Sequence, residues 1–288
     1  MNLITQSSSS YSLLDSGDER RLERFGNNIV IRSDNTCLWT PEKASNRWAL
    51  ANATYNRKSN GKFVWDIAKE LVMPWQSDFL INNKNIAMSL RLGPSKNIGV
   101  FPEQQANWTW IAEQVSQRPN LKLLNLFGYT GGASLVAASL GAEVCHVDAS
   151  KAVITWAKNN QILSGLEASP IRWIEDDCVG FMKREIKRGM KYDAIIMDPP
   201  AFGRDPKGKS FLFEDQIHEL IKSARDLLSD QPKFLLLNSY AMSYPPKVMG
   251  NLLREYFPKQ EIHYGNLQIE QEKSARILSC AVYGRVNF

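Results

Sequence analysis

LKLLNLFGYTGGASLVAASLGAEVCHVD, residues Leu121 to Asp148, reads as one β-turn-α-β unit. Leu121 to Phe127 is an apolar run of strand length. Gly128, Gly131 and Gly132 follow it, and then a small-residue helical segment, Ala133 to Leu140. A second apolar run, Ala142 to Val147, ends on Asp148. Glycine lets a backbone turn sharply and approach a ligand closely. A carboxylate at the tip of the second strand accepts hydrogen bonds from ribose hydroxyls. The spacing is G-x-x-G-G and not the dinucleotide G-x-G-x-x-G, so nothing supports a pyrophosphate. A ribose-bearing, phosphate-free cofactor fits, and S-adenosyl-L-methionine is the common one. The competing reading is a packing turn that holds no ligand.

Downstream, strands and helices continue to alternate. Ser150 caps a helix to about Leu163, and Ile171 to Ile174 is a short strand that ends at Glu175-Asp176-Asp177. A helix from Cys178 to about Arg188 precedes the strand Tyr192 to Met197, which leads into Asp198-Pro199-Pro200. A basic loop, Ala201 to Ser210, separates this from a helix over Phe213 to Leu228. Lys233 to Leu237 is a strand that ends at Asn238-Ser239-Tyr240, and Tyr244-Pro245-Pro246 opens a helix to about Tyr256. Two final strands, about 260–268 and 275–286, imply an antiparallel edge. The alternation predicts an α/β fold with a parallel sheet covered on both faces.

Upstream the pattern is shorter and irregular. Residues 1–12 read as a disordered tail, 13–98 as a small β-rich domain, and 99–288 as the α/β domain. Phe79 to Ile81 and Ile86 to Leu92 flank Asn82-Asn83-Lys84-Asn85, a hairpin signal. The aromatics Trp39, Trp48, Tyr55, Phe63, Trp65, Trp75 and Phe79 are read first as core and second as a base-stacking platform. Gly99 to Trp110 enters a helix that runs to about Arg118 and is expected on the edge of the sheet. Phe101 and Gln104 are placed within reach of the cofactor.

The totals narrow the class. The 288 residues allow one or two domains and carry a net charge of +5, compatible with nucleic acid without requiring it. The four cysteines, Cys37, Cys145, Cys178 and Cys280, form no C-x-x-C pair, and the three histidines are dispersed. No metal site and no disulfide framework are expected. No apolar run is long enough to span a membrane, and MNLITQSSSS lacks the parts of a signal peptide, so a cytoplasmic protein is expected. Nothing specifies an oligomeric state.

Three features fall at the carboxyl ends of successive strands, where open α/β sheets bind ligands. They are the glycine turn with Asp148, the pair Asp176-Asp177, and Asp198-Pro199-Pro200-Ala201-Phe202. A carboxylate of the pair can accept the exocyclic amine of adenine, with Cys178 or Val179 packed on the ring. The prolines stiffen the third segment, with Phe202 free to stack on a planar substrate. Taken singly, each has a plain alternative: a helix cap, surface charge at a helix start, a strand-ending turn.

Phe127-Gly-Tyr-Thr-Gly-Gly132, Val147-Asp-Ala-Ser150, Glu175-Asp-Asp177 and Met197-Asp-Pro-Pro-Ala-Phe202 resemble the class I S-adenosylmethionine-dependent methyltransferases. More narrowly they resemble bacterial large-subunit (23S) rRNA methyltransferases with F-x-Y-T-G-G and D-P-P-x-F motifs. Phe101-Pro-Glu-Gln104 is similar to that group's F-x-D-Q segment. The resemblance covers roughly Gly99 to the carboxyl terminus and implies a Rossmann-like seven-stranded sheet. It implies that Phe127, Gly128, Tyr129, Thr130, Gly131 and Gly132 line the methionine end of the cofactor. Asp148 and Ala149 would then meet the ribose, Asp177 the adenine amine with Asp176 and Cys178 beside it, and Gln104 the same pocket. Asp198, Pro199, Pro200 and Phe202 would flank the transferred methyl group.

The departures shape the expected chemistry. The 5-methylcytosine branch carries its cysteine in an F-S-C-S-like segment where this chain has Asn238-Ser239-Tyr240-Ala241. Other RNA cytosine-C5 enzymes place a cysteine after Pro-Pro, where Ala201 stands here. Attack from C5 needs a covalent nucleophile, whereas a nitrogen needs positioning and a route for its proton. The expectation is therefore methyl transfer to a nitrogen of RNA, with rRNA the favoured substrate. An RNA acceptor also predicts a basic surface at Arg204, Lys207 and Lys209. The alternatives are a protein or small-metabolite acceptor, and a non-catalytic protein that binds the cofactor.

Overall fold

The apolar strands around Leu121–Asp148 become the middle of a sheet that helices cover on both faces. The computed structural model describes residues 1–42, 46–68, 70–204, 210–240 and 244–288. Strands β1 (Leu3–Thr5), β2 (Tyr11–Gly17), β3 (Arg20–Phe25), β4 (Asn28–Ser33), β5 (Ala53–Arg57) and β6 (Phe63–Ile67) come first. The hairpin β7 (Trp75–Ile81) and β8 (Lys84–Leu90) and helix α1 (Gln105–Gln117) follow. Next come β9 (Lys122–Leu126), α2 (Gly132–Ser139), β10 (Glu143–Asp148), α3 (Lys151–Leu163), β11 (Ile171–Glu175), α4 (Cys178–Lys187) and β12 (Ala194–Met197). A short pair, β13 (Phe202–Arg204) and β14 (Ser210–Leu212), leads into α5 (Phe213–Leu227), β15 (Phe234–Ser239), α6 (Pro246–Tyr256), β16 (Glu261–Glu270) and β17 (Ile277–Asn287).

The main sheet has the order β11-β10-β9-β12-β15-β17-β16-β1. Strand β17 runs antiparallel to both its neighbours, and the other pairings are parallel. Successive side chains of a strand point to opposite faces, so a sheet with two covered faces needs apolar residues at nearly every position. Leu123, Ile196 and Leu236 join one core with Ile111 of α1 and Leu135 of α2. Leu124, Ile195 and Leu235 join the other with Phe181 of α4, Leu220 of α5 and Leu253 of α6. Helix α1 lies over the sheet face and not at its edge, because Trp110 packs edge-on against Phe234 of β15 at 4.8 Å.

The expected seven strands are present, and β1 adds an eighth. Residues 1–12 are thus not a disordered tail. Leu3, Ile4 and Thr5 pair with Leu267, Gln268 and Ile269. The physical reason is that β16 would otherwise present a long unpaired edge. The Thr5 hydroxyl also lies 3.4 Å from the carbonyl oxygens of Pro102 and Glu103, so this strand braces the turn before α1.

The amino-terminal region is β-rich as expected. It forms a five-stranded sheet, β2-β3-β4-β5-β6, and the β7–β8 hairpin. Asn82 and Asn83 make a two-residue turn with φ of 46° and 60°, values that asparagine tolerates better than most residues. The hairpin is tied to the α/β part. Phe79 meets Trp108 of α1 edge-on at 5.5 Å, and Trp156 of α3 donates to the Ser89 carbonyl at 2.8 Å. One core cluster therefore runs across position 98. The aromatics divide: Trp75 and Phe79 are core, Trp39 and Trp65 pack against it, and Phe63 is exposed.

Inside this region Glu23 is fully buried. It accepts from Arg32 Nε at 2.6 Å, Arg32 Nη2 at 2.7 Å and the Tyr11 hydroxyl at 2.9 Å, and Arg21 Nε lies 3.3 Å away. Burial pushes the Glu23 carboxyl up, but Arg21 and Arg32 outweigh it and hold it below its ordinary value. Removing one partner of a buried ion pair strands the other. Glu23→Ala should therefore lower folding stability by about 3–5 kcal/mol in urea unfolding. A loss under about 1 kcal/mol, the range of an exposed pair, would show that the arginines find other partners.

Candidate active site

The carboxyl ends of β9, β10, β11, β12 and β15 open on one cavity of about 1120 Å³. Phe127, Gly128, Tyr129, Thr130 and Gly132 line it after β9, Asp148 and Ala149 after β10, and Asp177 and Cys178 after β11. Asp198, Pro199 and Pro200 line it after β12, and Gln104 enters from the turn before α1.

The β9 turn is an unusual piece of backbone. Phe127, Tyr129 and Gly131 all have positive φ, at 57°, 50° and 92°. Side chains at such angles cost on the order of 1–3 kcal/mol each and persist only when the surroundings enforce them. Here the enforcement is visible. The Phe127 N–H points at Cys178 Sγ (3.3 Å), the Gly128 N–H donates to the Val147 carbonyl (3.1 Å), and the Tyr129 N–H donates to Asp148 Oδ2 (3.0 Å). Asp148 Oδ1 accepts from the Ser150 N–H at 2.9 Å. Asp148 thus braces the turn and still has lone pairs for a ligand, since each carboxylate oxygen carries two. Burial pushes its carboxyl up.

The glycines are also required from below. A Cβ on Gly128 would collide with the His146 ring, and one on Gly132 with the Trp108 ring. His146 is fully buried and bonded through Nδ1 to the Ser134 hydroxyl at 2.9 Å. Burial lowers its pKa to about 3, so it stays neutral under the turn. Gly131 does not line the cavity. Its Cβ side faces Trp173 and Ala157, so it serves helix packing and the left-handed turn.

Two further expected residues are placed elsewhere. Asp176 is turned out of the cavity onto Arg184, while Asp177 caps α4 by accepting the Gly180 N–H at 2.8 Å and still borders the cavity. Phe202 is 58% exposed and does not line the cavity. The register explains this. Phe202 pairs with Leu212 and Gly203 with Phe211, so the outward pair and the cavity-facing pair alternate. The aromatic that reaches the cavity is Phe211, edge-on to Phe127 at 5.5 Å.

At the other end stands Asp198. Gln104 Nε2 lies 3.3 Å from its Oδ2 and 3.1 Å from the Tyr240 hydroxyl. Asn107 holds the Gln104 carbonyl at 2.8 Å and Asn238 at 2.9 Å, and Arg285 donates to Asn107 at 2.7 Å. The Gln104 amide is thus committed to holding Asp198. Asp198 Oδ1 has no partner among the described residues although it is shielded from solvent. Leaving such an atom unsatisfied costs about 1–3 kcal/mol. Burial, and then the charge of Glu103, push the Asp198 carboxyl up to about 7.

Sequence reasoning missed Glu103, Tyr240, Glu175, Phe211 and the amino-terminal lining residues Arg21 and Lys96. Glu103 and Glu175 lie inside quoted motifs and were legible as carboxylates beside the chosen ones. Arg21 and Lys96 carried no signal, because only the packing of the amino-terminal sheet brings them to the cavity. Lys207 and Lys209 lie outside the described residues, as does the Arg204 side chain. Among the described residues no group of three or more His, Cys, Asp or Glu could hold a metal ion. No helix among them is long and apolar enough to cross a membrane.

A parallel sheet with acidic strand tips, a bent glycine turn and a large cavity between them defines a nucleoside-cofactor-binding α/β protein. A family model described as S-adenosylmethionine-dependent methyltransferase matches residues 44–250, and the chain belongs to that family. A crystal structure of the SAM-dependent methyltransferase from Agrobacterium tumefaciens is 37% identical, with a TM-score of 0.93, over 100% of this chain and 93% of that one. SMU.776, assigned as a methyltransferase and solved with SAH, shares the fold at 18% identity and a TM-score of 0.73, over 97% of this chain and 76% of that one. Among curated relatives, ribosomal RNA large subunit methyltransferase K of Neisseria meningitidis is 27% identical over 64% of this chain and 51% of its own length. Ribosomal RNA large subunit methyltransferase K/L of Legionella pneumophila is 30% identical over 56% of this chain and 22% of its own length. The chain thus spans about half the length of the first and about a fifth of the second.

The residues present fit the family's cofactor. Acids at the β10 and β11 tips keep free lone pairs, and an acid-lined cavity suits a sulfonium cation. Asp148→Ala should weaken S-adenosylhomocysteine binding at least about tenfold by calorimetry, because it removes a carboxylate that borders the cavity and the brace on Tyr129. An affinity within about twofold of wild type would take Asp148 out of the cofactor site.

Proposed function

We propose that this protein is a cytoplasmic enzyme that methylates a nitrogen of an RNA base, with rRNA the leading substrate. The observation that carries the reading is Asp198: a cavity-lining carboxyl beside Pro199-Pro200, with Gln104 at its Oδ2 and no partner at its Oδ1 among the described residues. When bound, S-adenosylmethionine supplies an electrophilic methyl group. Asp148 would hold its ribose, Asp177 and Glu175 its adenine end, and the Phe127–Gly132 turn its amino-acid end. Asp198 accepts an N–H of the acceptor, orients the nitrogen lone pair and takes up the developing charge. The prolines fix the backbone that carries it.

Nitrogen is favoured over cytosine C5 by the state of the nearby thiols. Cys178 and Cys280 border the cavity, but burial holds both well above the ordinary thiol range, and a covalent attack needs the thiolate. RNA is favoured by the names of the curated relatives. It is also favoured by the β5–β6 hairpin, where Phe63 stacks on Tyr55 at 5.4 Å beside exposed Arg57, Lys58 and Lys62. Stacking aromatics among cations suit single-stranded RNA. A small-metabolite acceptor is the second reading. It is favoured by the reach of the cavity to Arg21, Asp34 and Lys96 of the amino-terminal sheet and its flanking loops, which partly encloses it.

Tritiated donor and RNA from cells lacking the gene test this directly. Label in RNA, recovered by mass spectrometry as an N-methylated nucleoside, is the expected result. Recovery as 5-methylcytosine would overturn the nitrogen assignment, and label confined to small molecules would overturn RNA. With Asp198 of the free protein neutral below about 7 and ionised above it, kcat/KM should rise with pH through that value. Asp198→Asn should lower kcat/KM by roughly a hundredfold and flatten that rise. An unchanged pH profile in the variant would remove Asp198 from the chemistry.

A further inference from the structure

A second carboxyl in the cavity has no place in the scheme above. Glu103 sits on the turn before α1 and is 2% exposed. It borders the cavity, and its Oε2 has no hydrogen-bond partner among the described residues. Buried polar atoms are nearly always paired, so a free carboxylate oxygen on a residue that borders a cavity is placed to pair with a group that enters it. Arg21, which also borders the cavity, is ion-paired with Glu23 and Asp34, and Glu103 makes no ion pair among the described residues. The charge of Glu103 is felt at Asp198, Tyr240, Arg21 and Cys280, all of which border the cavity. Glu103 is also next in the chain to Gln104, whose amide lies 3.3 Å from Asp198, so it is near both Asp198 and the amino-terminal wall. The carboxylates at the tips of β10 and β11 lie after other strands, at the cofactor end.

We propose that Glu103 selects the methyl acceptor, its Oε2 hydrogen-bonding a polar edge of the group lodged between Asp198 and Arg21. The ligand class is a compact planar group with at least two N–H donors, one for Asp198 and one for Glu103, and an acceptor for Arg21, as an amino-bearing nucleobase presents. Naming a nucleobase rests on the RNA reading above; the assignment of Glu103 to the acceptor does not. Burial pushes the Glu103 carboxyl up, so Glu103→Gln is the conservative variant, with matched shape and polar atoms. Glu103→Leu is the apolar one.

The test uses the full chain and tritiated donor against the RNA, protein and small-molecule fractions of cells lacking the gene. For whichever fraction wild type labels, Glu103→Leu should lower kcat/KM by about tenfold to a hundredfold, mainly through KM, and Glu103→Gln by about threefold or less. Affinity for S-adenosylhomocysteine should stay within about twofold in both. The melting temperature of Glu103→Leu should hold or rise, because an unsatisfied buried acid has been replaced by an apolar side chain. A merely structural role would lower it. Wild-type kinetics in Glu103→Leu would overturn the proposal and leave the RNA reading intact. Equal losses of cofactor affinity and activity would overturn it by returning Glu103 to the cofactor. Label in protein or metabolites alone would overturn the RNA reading, while the ratio of variant to wild type in that fraction still decides Glu103.

Discussion

The left-handed backbone of the Phe127–Gly132 turn is the constraint on which the rest of the site depends. It lines the cavity and is held to its unusual angles from several directions. His146 fills the space under Gly128, Trp108 fills that under Gly132, and Asp148 grips the Tyr129 N–H from the side. His146 has to be neutral there, since a charged imidazole would be buried without a counter-ion. The residue that would meet the ribose is therefore the same one that maintains the shape of the pocket floor. Cofactor binding and local stability are coupled through one carboxylate.

Around that turn the cavity brings together Glu103, Asp148, Glu175, Asp177 and Asp198, with Arg21 and Lys96 on its amino-terminal wall. Burial raises Asp148, Asp198 and Glu103 together, and Glu103 raises Asp198 further. Such an arrangement is under-satisfied by itself and improves when a cation or several N–H donors enter. A sulfonium donor would supply the first and, on the function proposed above, an amine-bearing acceptor the second. The polar network Gln104–Asn107–Asn238–Arg285 reaches one oxygen of Asp198 through Gln104 and leaves the other without a partner among the described residues.

The amino-terminal sheet completes the enclosure from the far side. Strand β3 carries Arg21 at the cavity wall and, two residues on, Glu23 at the centre of a buried ion cluster. Alternate residues of a strand share a face, so the cluster that anchors this sheet and the residue that borders the cavity are parts of one surface. Strand β1 adds a brace, because Thr5 lies against the turn that bears Glu103 and Gln104.

The sequence by itself determined the α/β alternation, the glycine turn, the acids at the strand tips and the Asp198-Pro-Pro segment. These are local: hydrophobic period, turn chemistry and strand ends are written within a few residues of each other. It also showed the absence of cysteine at the two positions that C5 chemistry uses. Only the tertiary structure decided which of two adjacent acids faces the cavity, because Asp177 is drawn in as a helix cap while Asp176 finds Arg184. The same holds for Phe211 over Phe202, a choice made by the register of a two-stranded pair. The fate of the first residues followed from the open edge of β16, and the cavity wall at Arg21 from the packing of a separate sheet. Each of these depends on contacts between residues far apart in the chain, which no local pattern encodes.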